Sequence, residues 1–159
     1  MIAQNDDKNT ILFVCTGNTC RSPMAEYYFN GEMKKLGKDY VAESCGLHAE
    51  PGSQMSANAK KVLESQNIAE NIEDITHKSR QIGEDIVEKA EFIYGITVHH
   101  QAKLTEEYPK FKNKIVSMPE NIGDPYGGTF EVYEKCFENI KKSVDIIIKS
   151  LIEGKLGNV

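Results

Sequence analysis

The stretch Ile11-Leu12-Phe13-Val14-Cys15-Thr16-Gly17-Asn18-Thr19-Cys20-Arg21-Ser22-Pro23 decides how the rest of the chain is read. Its first four residues form a short continuous apolar run of β-formers, the pattern of a strand buried on both faces. Ser22 followed by Pro23 is a helix-start signal, because a serine side chain can cap orphan amides and proline tolerates the first helical position. The glutamate of a full capping box is missing, since Ala25 stands in its place. The unit is therefore strand, loop, helix, with Cys15 leading into the loop and Arg21 leaving it.

Working outward, Ala25, Tyr28, Phe29, Met33 and Leu36 recur at helical spacing until Gly37 ends the segment. Residues 40–44 read as a second strand and 57–66 as a second helix. Residues 82–90 read as a short helix, 91–96 as a third strand, 98–108 as a helix closed by Pro109, and 114–117 as a fourth strand. Glycine and proline cluster at Gly123-Asp124-Pro125-Tyr126-Gly127-Gly128, a turn-forming composition. Beyond it Phe130, Tyr133, Phe137, Ile140, Val144, Ile147, Ile148 and Leu151 mark one face of a long final helix. Strands alternating with helices predict an α/β protein, a parallel sheet covered on both sides. In such sheets ligands sit beyond the carboxyl ends of strands, where the Cys15 loop falls.

The 159 residues suit one domain, expected over 10–159 after a polar tail at 1–9. A composition 40% hydrophobic and 27% charged is that of an ordinary globular chain. The net charge of -5 and scattered basic residues argue against nucleic acid as a partner. The start lacks an apolar signal core and apolar runs such as 11–14 and 146–148 are far too short to span a bilayer, so no membrane partner and a cytoplasmic location are expected. The four cysteines, Cys15, Cys20, Cys45 and Cys136, match neither a zinc pattern nor a secreted disulfide framework. Cys45 and Cys136 are expected to be buried as small hydrophobes.

Cys15 is different, because a cysteine between a buried strand and a helix N-terminus lies in the field of unpaired amides, which favours the thiolate nucleophile. Five residues separate Cys15 from Arg21, enough to wrap Thr16, Gly17, Asn18, Thr19 and Cys20 into a nest of inward N–H groups for a tetrahedral anion such as phosphate. Gly17 permits a tight turn there. Arg21 closes the ring with a planar guanidinium that makes paired bonds to phosphoryl oxygens, and Ser22 can donate its hydroxyl hydrogen to the thiolate. Asp124, on the loop after the fourth strand, can reach the same sheet edge to protonate a leaving atom and then activate water. No cofactor and no metal are required. His77 on its own reads as solvated or structural, and His99 and His100 lack a third ligand. Cys20 sits close enough in sequence to Cys15 to protect it by a reversible disulfide.

At Val14 to Glu26, at Glu43-Ser44-Cys45-Gly46, at His77-Lys78-Ser79-Arg80-Gln81 and at Asp124-Pro125-Tyr126 the chain resembles the low-molecular-weight protein tyrosine phosphatase family. The resemblance implies a flavodoxin-like three-layer sandwich with four parallel strands in the order 2-1-3-4. It implies a phosphocysteine mechanism on phosphorylated protein or peptide substrates, with Cys15 as nucleophile, Arg21 as clamp and Asp124 as general acid. It also implies that Asn18, Ser44 and His77 hold the loop in shape, and that Tyr126 joins Thr16 to Cys20 and Ser22 around the substrate. Thr19 and the stretch Asp124 to Gly128 resemble the bacterial protein arginine phosphatase branch more closely, since tyrosine-specific members usually carry an aliphatic residue at the position of Thr19. Thr97 and His100 likewise depart from the Asp and Asn common in the tyrosine branch. A small polar Thr19 leaves room and a hydroxyl for a planar guanidinium, which makes phosphoarginine the favoured substrate residue, with phosphotyrosine close behind.

Two other functions fit the same loop. An arsenate reductase would relay oxidation through two further cysteines, but 77–110, where that class places them, contains none. A non-catalytic phosphate-binding module would need neither nucleophile nor acid, whereas this chain has both.

Overall fold

The computed structural model describes residues 9–154. Nearly all of the expected 1–9 tail and the last five residues of the expected domain lie outside the described residues. Four strands, β1 (Thr10–Cys15), β2 (Val41–Gly46), β3 (Phe92–Gly95) and β4 (Ile115–Ser117), form one sheet in the order β2-β1-β3-β4. Every pairing is parallel, with Phe13 beside Ser44 on one side and Tyr94 on the other. Parallel strands need crossovers, supplied by α1 (Arg21–Leu36), α2 (Ala57–Ser65), α3 (Glu84–Lys89) and α4 (Val98–Glu107), with α5 (Phe130–Glu153) closing the fold.

The continuous apolar run of β1 is explained by its place at the centre of the sheet. Ile11, Phe13 and Cys15 face one core layer, where Met24, Phe29, Leu63, Phe137, Ile140 and Val144 from α1, α2 and α5 pack. Leu12 and Val14 face the opposite layer with Val87, Ile93, Leu104 and Ile115 beneath α3 and α4. The result is the flavodoxin-like α/β/α sandwich expected from the sequence. The face predicted for α5 is buried from Tyr133 to Leu151, and Cys136 and Ser143 complete it.

Element bounds shift by a residue or two from expectation, and a 3-10 segment over Pro109–Lys114 precedes β4 where the sequence suggested only a stop. One expectation is corrected. Ser22 does not cap α1: the helix starts at Arg21 with Cys20 as its boundary residue and no side-chain cap. The serine hydroxyl is taken by Cys15 and Asn18 instead. The helix terminus is thus left bare on the side that faces the loop. At the far end Gly37 adopts the left-handed conformation (φ 67°) that closes the helix.

Candidate active site

The loop Thr16–Cys20 is held from outside by its carbonyls. Cys15 O and Thr16 O accept from the amides of Leu47 and His48 (each 2.9 Å), Thr19 O from Ser56 N–H (2.9 Å), and Cys20 O from Met24 N–H (3.1 Å). Asn18 O accepts from the Ser79 hydroxyl (2.9 Å) and from His77 Nε2 (3.0 Å). In a trans peptide the N–H of the next residue points opposite to the carbonyl, so the amides of Thr16, Gly17, Thr19, Cys20 and Arg21 turn into the ring. The close approach depends on Gly46, where a Cβ would lie 2.5 Å from Thr16 O.

Asn18 organises the inside of the scaffold. It stands at φ 61°, a left-handed conformation that asparagine tolerates better than most residues. Arg80 N–H donates to its Oδ1 (2.8 Å), which fixes the amide so that Nδ2 donates to both Ser22 Oγ (2.8 Å) and Ser44 Oγ (3.0 Å). Ser44 then donates its own hydrogen to Glu26 (2.6 Å), and Ser22 Oγ lies 2.9 Å from Cys15 Sγ, where a thiolate could only accept the serine hydrogen. His77 must carry its hydrogen on Nε2, because Asn18 O can only accept, and its Nδ1 lies 3.8 Å from Glu26. Burial pushes the Glu26 carboxyl up to about 7, against the Ser44 hydrogen bond and Arg80, and burial holds His77 below its ordinary value.

Across the ring Arg21 is buried, with Nη1 donating to Ile122 O (3.0 Å) and Nη2 lying 3.7 Å from Asp124 Oδ2. Asp124 also accepts from Tyr126 N–H (3.1 Å), and its side chain is 58% exposed. The loop, Arg21, Asp124 and the exposed Tyr126 enclose a cleft of about 150 Å³, with Cys15 in its lining. The structure therefore brings all three candidate chemical groups to one cavity. Among the described residues no cluster of three or more His, Cys, Asp or Glu side chains is arranged to hold a metal ion, and no helix is long and apolar enough to cross a membrane.

Several residues around the cleft had no local signature. Cys20 Sγ lies 2.9 Å from Ser56 Oγ and 3.3 Å from Tyr133 OH, so the loop is tied to the start of α2 and to α5. Ser79, Arg80 and Glu26 belong to motifs singled out above, but their partners follow only from the fold. His100, weighed above for a metal, is buried and lies beside the loop, its Nε2 3.0 Å from Thr16 Oγ1. Burial, with help from the nearby Arg21 and His99 charges and against Asp124, lowers it to about 4. Cys45 and Cys136 are buried as expected, and burial pushes both thiols up to about 12.

A cysteine and an arginine closing an anion ring at the carboxyl edge of a parallel sheet, faced by a carboxylate, define the class of cysteine-dependent protein phosphatases. Residues 10–155 match the family described as low molecular weight phosphotyrosine protein phosphatase, and the chain belongs to that family. It is 34% identical over 148 residues to the protein-arginine-phosphatase of Geobacillus stearothermophilus, covering 89% of this chain and 95% of that one. The low-molecular-weight protein tyrosine phosphatase of T. tengcongensis has the same fold, with a TM-score of 0.83 and 35% identity over 89% of this chain and 98% of that one. A YwlE arginine phosphatase in a cysteine-to-serine mutant form, with a phosphorylated active-site serine, superimposes with a TM-score of 0.81 and 28% identity over 89% and 95%.

Proposed function

We propose that this chain removes phosphoryl groups from proteins through a phosphocysteine intermediate, with phosphoarginine as its preferred substrate residue. The observation that carries the reading is the convergence of inward amides, Cys15 Sγ and Arg21 on one small cleft with Asp124 at its mouth. The Ser22 hydrogen aimed at Cys15 favours the thiolate, as do the amides around it. In the first step the S–P bond forms as the P–N or P–O bond breaks, and Asp124 gives its proton to the leaving atom. In the second, Asp124 takes a proton from water as its oxygen attacks phosphorus, the S–P bond breaks, and inorganic phosphate leaves. The phosphorylated serine of the mutant relative supports transfer to the residue at this position.

The substrate assignment draws on Thr16 and Thr19, whose residues line the cleft where aliphatic walls would suit a phenol, and on the relative named for arginine. Release of phosphate from phosphoarginine and phosphotyrosine peptides by wild type and Thr19→Ile tests it. Wild type is expected to prefer phosphoarginine and the variant to move toward phosphotyrosine; equal or tyrosine-biased rates in wild type would refute the assignment. Turnover of p-nitrophenyl phosphate, abolished by Cys15→Ser, separates the enzyme from a binding module, which would show no turnover at all. Cys20 is assigned as a redox partner of Cys15. After mild peroxide, mass spectrometry should find a Cys15–Cys20 bridge, and sulfinic acid on Cys15 without that bridge would remove the assignment.

A further inference from the structure

His100 is placed by two constraints that have nothing to do with substrate. It occupies the first turn of α4, whose boundary residue Thr97 accepts from His100 N–H (3.3 Å). Thr97 N–H in turn points at His100 Nδ1 (3.2 Å). Gly95 lets that turn lie against β3, since a Cβ there would stand 2.6 Å from Gln101 N. A backbone N–H can only donate, so Nδ1 must be the bare nitrogen, and the neutral ring carries its hydrogen on Nε2. That hydrogen points at Thr16 Oγ1, 3.0 Å away.

The consequence falls on Thr16, an exposed residue whose atoms line the cleft beside Cys15. Its oxygen has two lone pairs and one hydrogen. With one lone pair occupied by His100, the hydroxyl keeps one acceptor position and its own hydrogen for the cleft. A guanidinium leaving group presents several N–H donors in one plane and needs acceptors for them. A phenol leaving group presents none. Asp124 and the Thr19 hydroxyl are acceptors at the cleft, and Thr16 adds another.

We propose that Thr16, oriented by His100, is a specificity-determining residue that accepts an N–H of a phosphoarginine leaving group, and that His100 acts as its positioning residue. The proposal rests on the phosphatase reading above and extends it from Thr19 to a second threonine and a buried histidine. Its energetic basis is the hydrogen bond that a substrate N–H makes to the positioned Thr16 oxygen and loses when that acceptor is removed.

The test measures kcat/KM on matched phosphoarginine and phosphotyrosine peptides and follows their ratio. Thr16→Val removes the acceptor. His100→Asn keeps an acceptor near the Nδ1 position but cannot reach Thr16, whereas His100→Gln extends an amide N–H toward it. Thr16→Val and His100→Asn should each lower the arginine-to-tyrosine ratio about tenfold, the worth of one well-placed hydrogen bond. The double variant should fall no further than either single one, and His100→Gln should recover most of the ratio. Nitrogen-detected NMR should find the His100 ring as the Nε2–H tautomer at neutral pH. An unchanged ratio in Thr16→Val, independent losses in the double variant, or an Nδ1–H tautomer would each overturn the proposal while leaving the phosphatase reading intact. Wild type that turns over neither peptide would overturn both.

Discussion

Asn18 holds a backbone conformation that costs energy, and it is the residue whose five contacts explain why that cost is tolerated. Its Oδ1, Nδ2 and carbonyl are all engaged, and the direction of each bond follows from Arg80 N–H being able only to donate. Asn18→Ala and Ser22→Ala should therefore both weaken the thiolate of Cys15. Alkylation of Cys15 by iodoacetate at neutral pH should slow about tenfold in each, the effect of one lost hydrogen bond to the sulfur. An alkylation rate unchanged in Ser22→Ala would show that the hydroxyl hydrogen points elsewhere. Asp124→Asn should lower turnover of phosphorylated peptides about 10²–10⁴-fold, the usual range for a lost general acid. The first step with p-nitrophenyl phosphate should suffer less, because its leaving group departs without a proton. Single-turnover and steady-state rates distinguish the two steps, and equal losses for both substrates in the first would remove Asp124 from the role of acid.

At the scale of elements, the site depends on how closely backbones approach one another. β1 delivers Cys15 to the sheet edge, and α1 begins at Arg21 with its first amides directed toward the loop. Gly46 and Gly95 stand at the ends of β2 and β3, the two strands flanking β1, and each leaves no room for a Cβ. Gly46→Ala would meet Thr16 O and displace the anion loop. Gly95→Ala would meet the first turn of α4 and move His100. Overpacking of this kind typically costs about 1–3 kcal/mol. Urea unfolding should place both variants in that range, with Gly46→Ala losing phosphate affinity as well. If either variant matched wild type in stability, the close approach at that strand end would be wrong. The steric role of neither glycine is readable in sequence, because the backbone each must clear is brought against it only by the fold.

For the whole molecule, the half-buried Glu26 and the buried His100 give opposite pH dependences. The ordinary value of Glu26 is 4.5 and burial raises it to about 7 in the fold, so folding takes up a proton between those values. Its contribution to stability is fully present below about 4.5 and is lost as pH rises through about 7. His100 falls from 6.5 to about 4, so its contribution is present above 6.5 and is lost as pH falls through about 4. Between 4.5 and 6.5 the slopes oppose one another and the wild-type profile should be shallow. Glu26→Gln should make the protein more stable at pH 8 by up to about 3 kcal/mol, with little change at pH 5. It should also expose the acid-side decline due to His100. Thermal unfolding across pH 4–8 measures both, and a Glu26→Gln profile parallel to wild type would show that Glu26 ionises at its ordinary pH.

The strand, loop and helix around Cys15, the parallel sheet and the face of α5 were legible in the chain because they rest on local periodicity and on spacings within a few residues. Asp124 followed from its place on the loop after the fourth strand, and the resemblance extended the reading to Ser44 and His77 and to the strand order. Neighbours joined only by the fold were not legible: Ser56 and Tyr133 on Cys20, Ile122 on Arg21, and His100 on Thr16. Ser22 was legible in part: its pairing with Cys15 follows from the loop, whereas the helix cap suggested by its sequence neighbours does not form because Cys15 and Asn18 claim the hydroxyl. Sequence alone determined which chemical groups the protein possesses and the order in which the backbone presents them. Only the tertiary structure decided where each hydrogen points, because a donor's direction is set by partners up to 117 positions away along the chain, as Asp145 is from Tyr28.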